Sequence, residues 1–203
     1  MRRETATRSS LVIERLLFVV GVGCLAWCAL VAMQTWRYQS MNRSVAVRIP
    51  VPAAPSDVAR QAAPPVDIPI GEPIGRLEVP RLHLSAVVAN GDDDETLRVA
   101  IGHLPDTPLP WEEGNSALAG HRDTLLRALR NIRVDDDMRV VTAYGEFMYQ
   151  VKRIVIVAPD DLSVLTPTPQ AALTLVTCYP FSYVGHAPKR FIVQAARVAR
   201  VAD

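Results

Sequence analysis

The sequence predicts a mainly β domain over residues 75–203, a closed or nearly closed barrel with short helices in its connections, behind one N-terminal transmembrane helix. Three observations predict it: an uninterrupted apolar run near the N-terminus, a proline-rich tract after it, and then short β-like segments separated by turn signals.

The apolar run is Leu16 to Met33, eighteen uncharged residues. A helix of about 20 residues crosses a bilayer, so this run suffices. Trp36 and Tyr38 follow it, where aromatic side chains settle at a headgroup interface. Arg2, Arg3, Arg8 and Arg15 precede the run, and Arg37, Arg43 and Arg48 follow it. That bias favours a cytoplasmic N-terminus. No A-x-A site closes the run, so an uncleaved anchor over residues 1–38 is expected rather than a signal peptide. Cys24 and Cys28 fall within it and read as small membrane-buried thiols.

Residues 39–74 carry Pro50, Pro52, Pro55, Pro64, Pro65, Pro69 and Pro73 in a polar, alanine-rich setting. Such a tract favours extended conformations and acts as a semi-rigid spacer. It is expected to hold the following domain off the membrane, outside the cytoplasm.

Strands are predicted at Arg76–Val79, Leu84–Val88, Ser116–Ala119, Arg139–Thr142, Glu146–Ile156, Leu173–Thr177 and Arg190–Val198, with short helices at Asp94–Ala100 and Thr124–Leu129. Tyr144-Gly145 offers a hairpin turn before the long strand. Net charge is +1 and pI about 7.8, so no overall basic field points to nucleic acid.

Beyond the membrane the chain holds one cysteine, Cys178, at the end of L-T-L-V-T-C. It has no partner for an intramolecular disulfide, and a leftover thiol in an exported domain points to reactivity. Leu173, Leu175 and Thr177 share one strand face; Thr174, Val176 and Cys178 share the other. Pro180 ends ladder pairing just beyond. If this strand pairs antiparallel with R-F-I-V-Q-A-A-R-V, Arg190 faces the thiol across a gap of about 4.8 Å. His121 follows the strand-like N-S-A-L-A-G, where Gly120 permits a sharp turn. Three reactive side chains at three strand ends are thus expected on one rim.

The segments A-G-H-R-D-T, T-L-V-T-C and K-R-F-I-V-Q-A, in that order, resemble the histidine, T-L-x-T-C and arginine motifs of the sortases. The pieces E-V-P-R-L, L-P-D-T-P-L-P and C-Y-P-F-S-Y-V-G are most similar to class D. The resemblance runs from about Gly75 to Ala199. It implies an eight-stranded barrel and a cysteine transpeptidase acting on surface proteins with a C-terminal LPxTG-like sorting signal. Cys178 is then the nucleophile, His121 the acid/base, and Arg190 the substrate-positioning and oxyanion-stabilising group. A thioester on Cys178 passes to an amine acceptor, a cell-wall precursor or a pilin lysine. Resolution by water would make the enzyme an endopeptidase, and an idle barrel would be a signal-binding scaffold.

The residue chemistry agrees with those roles. An ordinary thiol is mostly protonated at neutral pH, and nearby cations favour the thiolate. Imidazole exchanges protons near neutrality, whereas guanidinium stays charged and serves by hydrogen bonding. Thr177, His103 and His186 are weaker substrate-binding candidates, both histidines being placed in loops. No cofactor is expected. Asp92-Asp93-Asp94-Glu95 is a poor calcium site, since that ion takes about six to eight oxygens, and it reads more simply as a helix N-cap and first turn. Leu104-Pro105-Asp106-Thr107 spells the start of a sorting signal, but Pro108 follows it, so a loop turn is expected there.

Overall fold

The computed structural model describes residues 2–42, 68–183 and 185–198. The chain divides into two compact units, with the boundary between Tyr38 and Gln39. The first holds all but the last residues of helix α1, Arg2–Met41, whose Val12–Met41 stretch is long and apolar enough to cross a membrane. Most of the predicted 39–74 spacer lies outside the described residues.

The second unit is a closed barrel of eight strands: β1 Pro73–Val79, β2 Leu84–Asn90, β3 Ile101–His103, β4 Asn115–Gly120, β5 Asp137–Thr142, β6 Gly145–Val157, β7 Ala172–Tyr179 and β8 Lys189–Val198. Their order around the barrel is β1-β2-β3-β4-β7-β8-β6-β5, with β2/β3 and β4/β7 parallel and the other pairs antiparallel. The interior is packed by alternating residues, among them Leu77, Val140, Leu118, Leu173, Leu175 and Val193, all fully buried. Each such side chain stabilises by about 1.5–3 kcal/mol on leaving water.

All seven predicted strands form, each somewhat longer than predicted. The eighth, β3, escaped prediction because three residues give no readable period; it pairs Val88↔Ile101 and Gly102↔Ala119. Gly102 has to be glycine, since a Cβ there would sit 2.3 Å from the Gly91 carbonyl oxygen. At the β5–β6 hairpin Thr142 pairs with Gly145. Gly145 adopts φ of 124°, a conformation L side chains rarely enter.

The predicted helix at Asp94 is present as α2, Asp94–Val99, and Asp93 caps it, its carboxylate accepting from the Glu95 and Thr96 amides at 3.0 Å. The predicted helix Thr124–Leu129 is corrected: residues 124–126 are turn, and the rest lies in a 3-10 helix, Arg127–Asn131. The cause is the spacing of its apolar anchors. Leu126 and Leu129, both fully buried, lie three residues apart and stack in a three-residue turn. Leu104 to Thr107 is a turn, as expected, with the Thr107 hydroxyl donating to the Leu104 carbonyl at 2.8 Å.

Candidate active site

The site is built where β4 and β7 end and β8 begins. Because β4 and β7 are parallel, Gly120↔Thr177 is their last register pair, and His121 and Cys178 are the next residue on each. Across β7, antiparallel β8 sets Arg190 directly opposite Cys178. Residues so paired have Cβ atoms about 4.5–5.5 Å apart on one sheet face. The thiol is partly exposed, the imidazole exposed and Arg190 partly buried. The three groups therefore come from adjacent strand ends at one rim.

Two sets of contacts hold that rim. Beneath it, the Thr177 hydroxyl donates to the Gly120 carbonyl at 2.7 Å, tying the residue before the thiol to the residue before the imidazole. Thr177 is only 2% exposed and faces inward, so it braces the site from below and does not line it. Beside it, Tyr179, Phe181 and Phe191 pack with ring centroids 5.2–6.2 Å apart under the β7–β8 connection. Rings in this range attract beyond simple burial.

The connection itself, residues 180–188, is gripped by two arginines. Arg122 donates through Nη2 to the Tyr183 carbonyl at 2.7 Å and the Gly185 carbonyl at 3.1 Å, and stacks its guanidinium 5.9 Å from the Tyr183 ring. Arg190 donates to the Lys189 carbonyl at 3.2 Å and the Ala187 carbonyl at 3.4 Å. Arg122 went unremarked in the sequence, although it directly follows His121. An arginine next to a candidate site residue was the available signal. The aromatic trio was equally unremarked, because the rings meet only through pairing of β7 with β8.

The outer face of the same strands continues away from the rim. Val176 lies next to Cys178 on that face, with Ile192 opposite it on β8 and Ala119 on β4. Lower down, the 3-10 turn Leu162–Leu165 covers the sheet, the Val164 carbonyl accepting from Asn115 at 3.0 Å and Gln194 at 3.2 Å. A short apolar strip of Val176, Ile192 and Ala119 thus adjoins the thiol, with Thr174 and Gln194 below it on the same face.

The histidine candidates separate. His186 is exposed on the β7–β8 connection. His103 is corrected on two counts: it ends strand β3 instead of lying in a loop, and it is 2% exposed. Its Nδ1 lies 3.2 Å from Asn90 Oδ1, and its Nε2 lies 3.0 Å from the Pro108 carbonyl and 3.3 Å from the Thr107 hydroxyl. Both ring nitrogens are thus engaged within the fold and cannot meet a substrate. Burial is the largest influence on this ring and holds its pKa below the ordinary histidine value, against the pull of the surrounding acceptors.

A closed eight-stranded barrel with these strand ends defines the class of fold. The Sortase domain family matches residues 77–198, and the chain belongs to the sortase family. Among individual proteins, Sortase D of Bacillus subtilis is 40% identical over 129 residues, which is 63% of this chain; the chain spans 65% of that relative's length. A Sortase D transpeptidase of Clostridium perfringens is similar in structure, with a TM-score of 0.64 at 23% identity, covering 80% of this chain and 97% of that one. A Clostridium perfringens sortase C, solved with a C-terminal cell wall sorting motif, has a TM-score of 0.61 at 24% identity, covering 66% of this chain and 75% of that one. At those identities the two structures speak to the fold alone.

Proposed function

We propose that this chain is a membrane-anchored cysteine transpeptidase. The observation that carries the reading is the register that sets Cys178 against Arg190 and puts His121 next after the pair Gly120↔Thr177. The substrate is a surface protein with a C-terminal LPxTG-like signal, lying extended along the apolar strip toward the thiol. A C-terminal cell wall sorting motif accompanies the Clostridium perfringens sortase C named above.

In the first half-reaction the Cys178 thiolate attacks the threonine carbonyl carbon. A C–S bond forms, the peptide C–N bond breaks, and protonated His121 gives its proton to the departing amine. Arg190 exchanges its backbone partners for the carbonyl oxygen as negative charge builds there. In the second half an amine from a cell-wall precursor or a pilin attacks the thioester. It yields its proton to His121 and expels the thiolate, which restores the starting state. In this reading residues 1–38 anchor the enzyme with the N-terminus inside, residues 39–74 space it, and the barrel works outside the membrane. No cofactor takes part in these steps.

The test uses the full chain in detergent with an LPxTG-like peptide, with and without a primary amine, and products identified by mass. Amine adducts at the threonine, abolished in Cys178→Ala, are expected. Turnover that persists in Cys178→Ala overturns the assignment, and hydrolysis alone replaces transfer by proteolysis.

A further inference from the structure

On the side of His121 away from Cys178, the β4–β5 connection crosses the rim and meets the β1–β2 turn, since β2 begins and β4 ends at the same end of the barrel. Two open cavities of about 590 Å³ and 510 Å³ lie between these segments and share Leu82, His83, Ala128, Arg130 and Asn131 as walls. Together they form one groove of a size that holds a small organic ligand. Its floor is apolar, with Leu82 and Ala128 partly buried and Ile132 at 8% exposed. Its edge carries Arg81, Arg127, Arg130 and Arg133, and no carboxylate lines either cavity.

The four guanidiniums are not equivalent. Arg81 is committed: it pairs with Asp136 and donates through Nη2 to the Asn131 carbonyl at 2.7 Å, locking the β1–β2 turn onto the far wall. The Asp136 carboxylate, hydrogen-bonded by that guanidinium, is held below the usual carboxylate range. The side chains of Arg127, Arg130 and Arg133 have no hydrogen bond or ion pair with any described residue, although the Arg133 charge also helps to hold the Asp136 carboxylate down. Arg130 edges both cavities, Arg127 one and Arg133 the other, so the braced groove has a rim of one sign. Planar forks of this kind match phosphate oxygens two at a time. An apolar floor beneath a cationic edge suits an organic phosphate better than a bare ion.

We propose that this groove binds a phosphate-bearing ligand, held by Arg127, Arg130 and Arg133 and seated on Leu82, Ala128 and Ile132. Free organic phosphates and phospholipid headgroups share the recognised chemistry. Binding here does not depend on the thiol reaction, so it stands or falls separately from the proposed transpeptidation.

The experiment titrates the full chain, in zwitterionic nanodiscs at physiological salt, with inorganic diphosphate and separately with short-chain phosphatidylglycerol. Calorimetry reads the binding, and phosphatidylcholine is the control. Saturable binding is expected, weakened by about tenfold or more in Arg127→Gln/Arg130→Gln/Arg133→Gln, as loss of several charge-assisted contacts requires. Should that triple variant fail to fold, Arg130→Gln alone carries the comparison, since its side chain lines both cavities. Diphosphate binding identifies a free phosphate as sufficient. Binding of phosphatidylglycerol alone assigns the site to a headgroup. No saturable binding of either, or equal binding by the variants, overturns the proposal.

Discussion

Replacing Thr177 by valine removes one hydroxyl and keeps the shape of the side chain. That hydroxyl donates at 2.7 Å to the Gly120 carbonyl and is 2% exposed, so water cannot take its place. Losing a buried hydrogen bond and leaving its acceptor unpaired costs about 1–2 kcal/mol. For a domain of this size about 4 °C in Tm accompanies each kcal/mol, so Tm falls by roughly 4–8 °C. The catalytic effect is larger than the stability effect, because Gly120 carries His121. A shift of about 1 Å in a reacting group can cost roughly 100-fold. In the peptide assay kcat is expected to fall at least about tenfold with KM little changed, since Thr177 faces away from the strip. Thr174→Val is the control: its hydroxyl makes a matching buried bond of 2.7 Å to Asn115, one that does not hold His121. Equal kcat in Thr177→Val and the parent, or an equal loss in Thr174→Val, would refute the reasoning.

Gly120→Ala puts a Cβ 2.9 Å from Leu126 Cγ and Cδ1, displacing a fully buried side chain and the turn after His121. Urea unfolding should show a loss of about 1–3 kcal/mol. Arg122→Ala releases the Tyr183 and Gly185 carbonyls, so kcat/KM should fall by about tenfold or more while the barrel's Tm shifts little; Arg122→Lys recovers part of the loss, and an unchanged kcat/KM would show that the β7–β8 connection needs no clamp. His103 has its pKa lowered by burial, so the native state binds fewer protons than the unfolded chain once pH drops below about 6.5, and stability declines there as pH falls. Thermal melts at pH 7.5 and 5.5 should show a smaller drop in His103→Gln than in the parent.

The barrel was legible in the sequence because seven of its strands are short β-like segments bounded by turn signals, although β2 and β4 are buried on both faces and do not alternate. What those segments cannot show is closure: β3 is three residues long, and without it β2 and β4 have no link. The rim was legible for a related reason. A cysteine before Pro180, an arginine opening the next strand and a histidine after Gly120 all mark strand ends, and strand ends of one parity meet at one end of a barrel. The supports around them were not legible. Thr177 belongs to a motif whose letters do not say which way its hydroxyl points, and the Arg122 clamp joins residues about 60 positions apart. His103 misled because I-G-H-L-P reads as turn, whereas its ring nitrogens are held by Asn90, Thr107 and Pro108.

The central claim is that the end of β4 brings position 121 beside Cys178. Neighbouring strands sit about 4.8 Å apart, within the Cα separation a disulfide needs. The most direct measurement is mild oxidation of the full chain carrying His121→Cys, followed by mass analysis of its linked peptides. The account predicts a bond between position 121 and Cys178. Recovery of both thiols free, in a chain whose barrel is intact by circular dichroism, would contradict it.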